Sequence, residues 1–154
     1  MARRRFRFIP QTTTIGAAVT DGQAMVEELQ GEAQEWLDGL PENLQQGDTG
    51  SRLEQCVSLL EGIDLEIDVP EDAAGLTVEY QDTVPADKRR GPSRNTRAGN
   101  VAAMLEAAAD ALSAWADELE EGSEAVDEAR TAVEQISAAH QELGETDFPG
   151  MYGN

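Results

Sequence analysis

The side chains with the most chemistry to offer are cations, and they are gathered in two places. Arg3, Arg4, Arg5 and Arg7 stand within the first ten residues, with Phe6 and Phe8 between them and no acid. Lys88, Arg89, Arg90, Arg94 and Arg97 fall within residues 87–97, where Asp87 is the one acid. A guanidinium presents a planar fork of N–H donors that meets a carboxylate or phosphate through two hydrogen bonds at once. Interleaved rings would let such an arm lie along nucleic acid, with guanidinium groups on phosphates and phenylalanines on bases.

The rest of the chain opposes that use. Of 31 acids, 30 lie outside the two stretches and face only Arg52 and Arg130, which makes a body of −28 within a molecule of net charge −20. Such a body repels phosphate and anionic lipid headgroups. Nucleic-acid contact through the arm would require those acids to be held away from the duplex, and would weaken steeply with salt. Acidic protein surface suits the same arginines better, whether on a neighbouring copy, in a larger assembly or on the chain's own helices. The expected docking residues are therefore Arg3, Arg4, Arg5, Phe6, Arg7 and Phe8 in the arm, and Lys88, Arg89, Arg90, Arg94 and Arg97 in the loop. Phe148, Met151 and Tyr152 offer a further attachment through the tail.

Other chemistries are short of residues. A metal site needs convergent ligands, and the chain has one histidine and one cysteine. His140, at a helical a position, reads as a satisfied or partly exposed histidine rather than a ligand, and Cys56, on the apolar side of its helix, as a small core residue rather than a nucleophile. A lone cysteine allows no intrachain disulfide, which suits a reducing compartment. No glycine-rich phosphate loop and no nucleophile elbow occurs. No catalytic residue, metal, cofactor or small-molecule substrate is expected.

The hydrophobic periodicity tells what must carry these segments. Residues 1–19 read as a basic arm, extended over Arg5–Ile9 and loop-like from Thr12 to Gly16. Thr20 with Gln23 matches a capping box and opens a helix with Met25, Leu29, Ala33, Trp36 and Leu40 on one stripe. Gly39 and Pro41 break that helix, and Leu44 falls on a short turn. Ser51 with Glu54 matches a second capping box, before a helix with Leu53, Cys56, Val57 and Leu60 inward; the two helices make a hairpin. From Ile63 the period becomes two: Ile63, Leu65, Ile67 and Val69, then Leu76, Val78 and Tyr80, predict an antiparallel pair. Two strands alone are marginal, so packing on the helices or recruitment of the N-terminal stretch as a third strand is expected.

From Arg97 to Leu143 a heptad places Leu105, Leu112, Leu119, Val126, Val133 and His140 at one apolar position. Val101, Ala108, Trp115, Gly122, Ala129, Ile136 and Leu143 take the other. The phase survives Gly122, which favours one continuous helix. Small residues on its shoulders, such as Ala102, Ala109, Ala125 and Ala132, suit a bundle with neighbours on two sides. An echo argues for the alternative, a second hairpin turning at Gly122-Ser123: Trp36-Leu-Asp-Gly-Leu40 matches Trp115-Ala-Asp-Glu-Leu119, and Leu60-Glu-Gly-Ile63 matches Val133-Glu-Gln-Ile136. The expected fold is mainly α: a hairpin plus a long C-terminal helix or second hairpin in a bundle, with a small two- or three-stranded β element. Residues 20–143 form one domain, with the β insertion and basic loop at 63–97, and residues 144–154 form a docking tail.

The basic aromatic arm, the acidic alanine-rich body with its phrase Trp36-Leu-Asp-Gly-Leu-Pro-Glu-Asn-Leu44, and the ending Phe148-Pro-Gly-Met-Tyr-Gly together resemble small accessory proteins encoded by tailed phages and related mobile elements. The resemblance spans most of the chain and brings no catalytic residues with it. It implies a structural or interaction component of a virion, with arm and tail as docking segments, located in the particle or the host cytoplasm. The N-terminus lacks the apolar core of a secretion signal, and no stretch has the length and hydropathy of a membrane span. Two rival expectations remain. One is an acidic regulator that imitates nucleic acid towards a DNA-binding enzyme, and the other is a nucleic-acid-associated protein acting through the arginine arm.

Overall fold

The computed structural model describes residues 5–120 and 122–149. Arg3, Arg4, Met151 and Tyr152 lie outside the described residues. The chain is mainly α, with six helices and one two-stranded antiparallel sheet among the described residues.

Strand β1 (Phe6–Thr14) runs directly into helix α1 (Ile15–Gly39). The expected loop at Thr12–Gly16 is absent, because Thr14 serves two elements at once. Its extended backbone ends the strand, and its hydroxyl caps the helix by accepting from Ala17 N at 3.2 Å. The cap is therefore six residues earlier than the Thr20 pattern predicted, and Thr20 lies inside the helix. The buried stripe also turns relative to the one expected: Ile15, Ala18, Val19, Gly22, Val26, Leu29 and Ala33 face inward. Leu29 and Ala33 are on it, Trp36 and Leu40 pack at its margin, and Met25 is exposed.

The break at Gly39 and Pro41 leads to the single turn α2 (Glu42–Gln45) and then to α3 (Asp48–Glu61). Helix α3 begins a turn before Ser51, which is already inside it and donates its backbone N–H to Gly47 O at 3.0 Å. This early start depends on Gly50. A Cβ there would collide with the backbone carbonyl of Gln45. Leu53, Cys56 and Leu60 are buried with Val57 beside them, as their spacing predicts, and α1 and α3 form the first hairpin.

Residues 63–70 depart from expectation most clearly. Their alternation buries Ile63 and Leu65 and half-buries Ile67 and Val69, yet no strand forms. An amide side chain replaces the missing ladder: Leu65 N donates to Gln23 Oε1 of α1 at 2.8 Å. The segment is a strap across the helices, and it ends at the single turn α4 (Glu71–Ala74).

Strand β2 (Thr77–Pro85) pairs instead with β1, from Phe6 opposite Pro85 to Thr14 opposite Thr77. The N-terminal stretch is thus the second strand, not a third. Val78 is buried, and Tyr80 packs on Ala18, Met104 and Ala108. The far edge of β2 is held by Asn100, whose Oδ1 accepts from Thr83 N at 2.8 Å while its Nδ2 donates to Thr83 O at 2.9 Å. Packing on the helices supplies what an isolated two-stranded ribbon lacks.

The C-terminal half is a hairpin, which overturns the continuous helix. Helix α5 (Arg94–Asp117) and helix α6 (Glu124–Glu145) pack on each other. The chain reverses at Gly122, with φ of +86°, a conformation glycine adopts without steric cost. Ser123 then caps α6 by accepting from Val126 N at 3.3 Å. Six residues separate the two helices, so α6 begins seven positions after α5 ends, one heptad, and the phase survives a turn as well as it would a helix. Trp36 and Trp115 stand in the last turns of the first helices of their respective hairpins, as the echo implied. The hairpins share one core, in which Leu29, Leu53, Leu105, Leu112 and Ile136 are fully buried. Each such side chain contributes roughly 1.5–3 kcal/mol. No helix among the described residues is long and apolar enough to cross a membrane.

Candidate functional site

The three segments expected to dock meet in one place. The start of β1, the loop after β2, the first turn of α5 and the tail residues Phe148 and Pro149 border an open cleft of about 940 Å³, lined by Arg5, Phe6, Arg90, Arg94 and Arg97 among others. The convergence follows from topology. The ribbon places Arg5 beside Ala86, joined by Ala86 N donating to Arg5 O at 2.9 Å, and Ser93 caps α5 just beyond the loop.

Two of the cations are committed to the chain's own helices. Arg97 forms a two-point fork on Glu32, Nη1 to Oε1 at 2.9 Å and Nη2 to Oε2 at 2.7 Å, and reaches Glu28 at 3.2 Å. Arg94 Nε lies 3.2 Å from Glu32 Oε1, and its guanidinium sits over the Trp36 ring at 5.1 Å from the centroid. That approach is an ion pair without hydrogen-bond alignment, so among the described residues the buried Nε–H has no hydrogen-bond acceptor. The hydrogen bonds from Arg97, opposed by burial, hold the Glu32 carboxyl below its ordinary value, and the same bonds raise the pKa of Arg97. These side chains are about 70% covered, so the cluster lashes α5 to α1 rather than reaching outward.

The other cations face solvent. Arg89 folds back on Asp87, with Nε to Oδ1 at 3.2 Å and Nη2 to Oδ2 at 3.3 Å, and those bonds lower the Asp87 pKa. Arg7 Nε donates to Pro85 O at 3.4 Å. Arg5, Lys88 and Arg90 are exposed, and none of them has an ion pair among the described residues. Phe6 and Phe8 are exposed on the ribbon, at 43% and 64%.

The tail residue Phe148 has a different place from the one expected. It is 2% exposed and belongs to the core. Asn95 grips its backbone at both ends, Phe148 N donating to Oδ1 at 2.8 Å and Nδ2 donating to Phe148 O at 3.0 Å. Arg52 pairs with Asp147 at 3.0 Å, and the Cys56 thiol donates to Asp147 O at 3.3 Å. Burial pushes the Cys56 thiol pKa up, against the demands of a nucleophile. His140 Nδ1 lies 2.8 Å from Ala102 O and joins α6 to α5. Among the described residues no group of three or more His, Cys, Asp or Glu side chains is placed to hold a metal.

Sequence reasoning missed Asn95 and Asn100, which position the tail and the ribbon around the cleft. An amide inside a helix has no periodic signature, and its partner carbonyls are invisible until the fold is known. It also missed that Glu28 and Glu32 are the acids that claim Arg94 and Arg97. A second hollow, of about 240 Å³, lies between ribbon and helices against Met25, Tyr80, Asp82 and Met104. Burial raises the pKa of Asp82, partly offset by a hydrogen bond from Gln11, and burial also raises that of Tyr80. No family model, no curated protein and no solved structure matches this chain.

Proposed function

We propose that the chain is a non-enzymatic interaction protein, a minor structural or accessory component of a phage-like particle that attaches to acidic protein surface through its arm and loop. The observation that supports this reading is the division of the cations. Arg94 and Arg97 are consumed within the fold, while Arg5 and Arg90 line the cleft with Phe6 beside them, and these two and the exposed Lys88 have no ion pair among the described residues. Guanidinium groups whose forks are unused among the described residues keep them for another molecule. The particle context rests on the resemblance in layout, from the Trp36–Leu44 phrase to the tail.

Co-purification from the native cell, followed by nuclease treatment and mass spectrometry, tests it. The expected result is an acidic protein or assembled particle that survives nuclease and is released as salt rises. Loss of the captured material on nuclease treatment would instead support nucleic-acid association through the arm. Exposed Glu106, Asp110, Asp127 and Glu128 on α5 and α6 favour the second reading, an acidic mimic of nucleic acid. Capture of a basic DNA-binding enzyme, insensitive to charge reversal at Arg5 and Arg90, would establish that reading.

A further inference from the structure

Strand β1 has a free edge, and the pairing register tells which residues occupy it. Arg5 with Ala86 and Ile15 with Leu76 are joined by backbone hydrogen bonds of 2.9 and 3.1 Å. In an antiparallel ladder such pairs alternate, so the odd residues of β1 face β2 while Phe6, Phe8, Pro10 and Thr12 turn their backbone groups outward. Among the described residues nothing hydrogen-bonds to Phe6 or Phe8 from that side. Pro10 has no donor to offer there, which confines any added strand to the Arg5–Ile9 end. Along this edge one face carries Arg5 and Arg7 and the other carries the exposed rings of Phe6 and Phe8.

The strap at residues 63–70 has the complementary pattern. Asp64, Glu66 and Asp68 point to solvent, while Ile67 and Val69 are half-buried along its core side. Its backbone forms no helix, turn or bend and belongs to no ladder among the described residues. From Asp64 to Val69 two amides are hydrogen-bonded among the described residues, both to side chains: Leu65 N to Gln23 and Glu66 N to Asp64 Oδ1 at 2.9 Å. A strand laid beside it with Arg5 and Arg7 on the acidic face brings Phe6 and Phe8 onto the apolar face, against Ile67 and Val69. Pairing of β1 with β1 of another copy fails by the same criterion, since Arg5 and Arg7 would meet their own kind.

We propose that β1 of one copy docks on the 63–70 strap of a second copy, a head-to-tail contact that propagates into a ring or an open chain. This rests on the docking function proposed above and names a copy of the chain as one of its acidic surfaces. Sedimentation equilibrium over rising concentration tests it. The wild type exceeds its 16.6 kDa monomer mass increasingly with concentration. Arg5→Glu with Arg7→Glu is monomeric, and so is Glu66→Arg with Asp68→Arg, which spares the Asp64 carboxylate that holds the Glu66 amide. An equimolar mixture of the two variants regains assembly, because each then supplies the charge the other lacks; this recovery also certifies that both are folded. A wild type that stays monomeric, single variants that assemble like the wild type, or a mixture that remains monomeric would overturn the proposal. A monomeric chain that still captures a foreign partner through Arg5 and Arg90 would remove this contact and leave the docking function standing.

Discussion

Arg97 and Arg90 are seven residues apart, carry the same guanidinium and meet opposite fates. Arg97 sits in the first turn of α5, where Glu28 and Glu32 of α1 are within reach, and its charge becomes a rivet between two helices. Arg90 sits in the loop before the Ser93 cap, faces solvent and has no ion pair among the described residues. The difference lies in what the fold places opposite each side chain. Arg97 is delivered by its helix to fixed acidic neighbours, whereas Arg90 has no carboxylate paired with it among the described residues and keeps its donors for whatever approaches, unlike Arg89 beside it, which folds back on Asp87.

The largest effect should come from reversing the outer set. Arg5→Glu, Lys88→Glu and Arg90→Glu together should weaken partner binding by about 100-fold or more, since like charges brought together cost several kcal/mol. The unfolding free energy should change by less than about 0.5 kcal/mol, as for exposed positions generally. The inner set should behave in the opposite manner. Arg97→Ala should cost about 2 kcal/mol in urea unfolding, since it removes a charge-assisted fork and leaves Glu32 half-buried with a weaker partner. Binding by the folded fraction should survive.

The same pair fixes a pH dependence. Glu32 has its folded pKa below the ordinary 4.5, so its contribution is fully present above that value and is lost as pH falls through the lower folded pKa. Acid unfolding of Arg97→Ala should accordingly be shallower than that of the wild type below pH 4.5. The smallest effect concerns an acid that has no ion pair among the described residues. Burial raises the pKa of Asp82, so its ionised form costs stability at neutral pH, and that cost fades as pH falls through the raised value. Asp82→Asn should therefore raise Tm by about 1–3 °C at pH 7 and have no benefit in acid.

Much of the helical frame was legible because it obeys periodicity. Gly39 and Pro41 stop a helix wherever they fall, and the spacing of Leu53, Cys56 and Leu60 points one way only. The helix starts were less so: Thr20 and Ser51 carry good capping patterns, but a strand ending at Thr14 and a close approach at Gly50 fixed the real starts. Residues 63–69 show the limit of a period of two. Alternation reports which side is buried, and it is silent on whether a strand or a glutamine side chain satisfies the backbone. At the cleft, the clustering of cations was visible from the start. Which of them were spent was not, because with 31 acids available nothing local marks Glu28 and Glu32 as the partners of residues more than sixty positions away.

The most direct test sets the two groups of cations side by side. Partner retention is measured for Arg5→Glu with Arg90→Glu and for Arg94→Gln with Arg97→Gln, each normalised to its folded fraction. The outer pair should lose the partner while keeping wild-type stability, and the inner pair should keep the partner while losing stability. Retention by the outer pair together with loss by the inner pair would contradict the account, and would place the docking chemistry on the face that Glu32 now occupies.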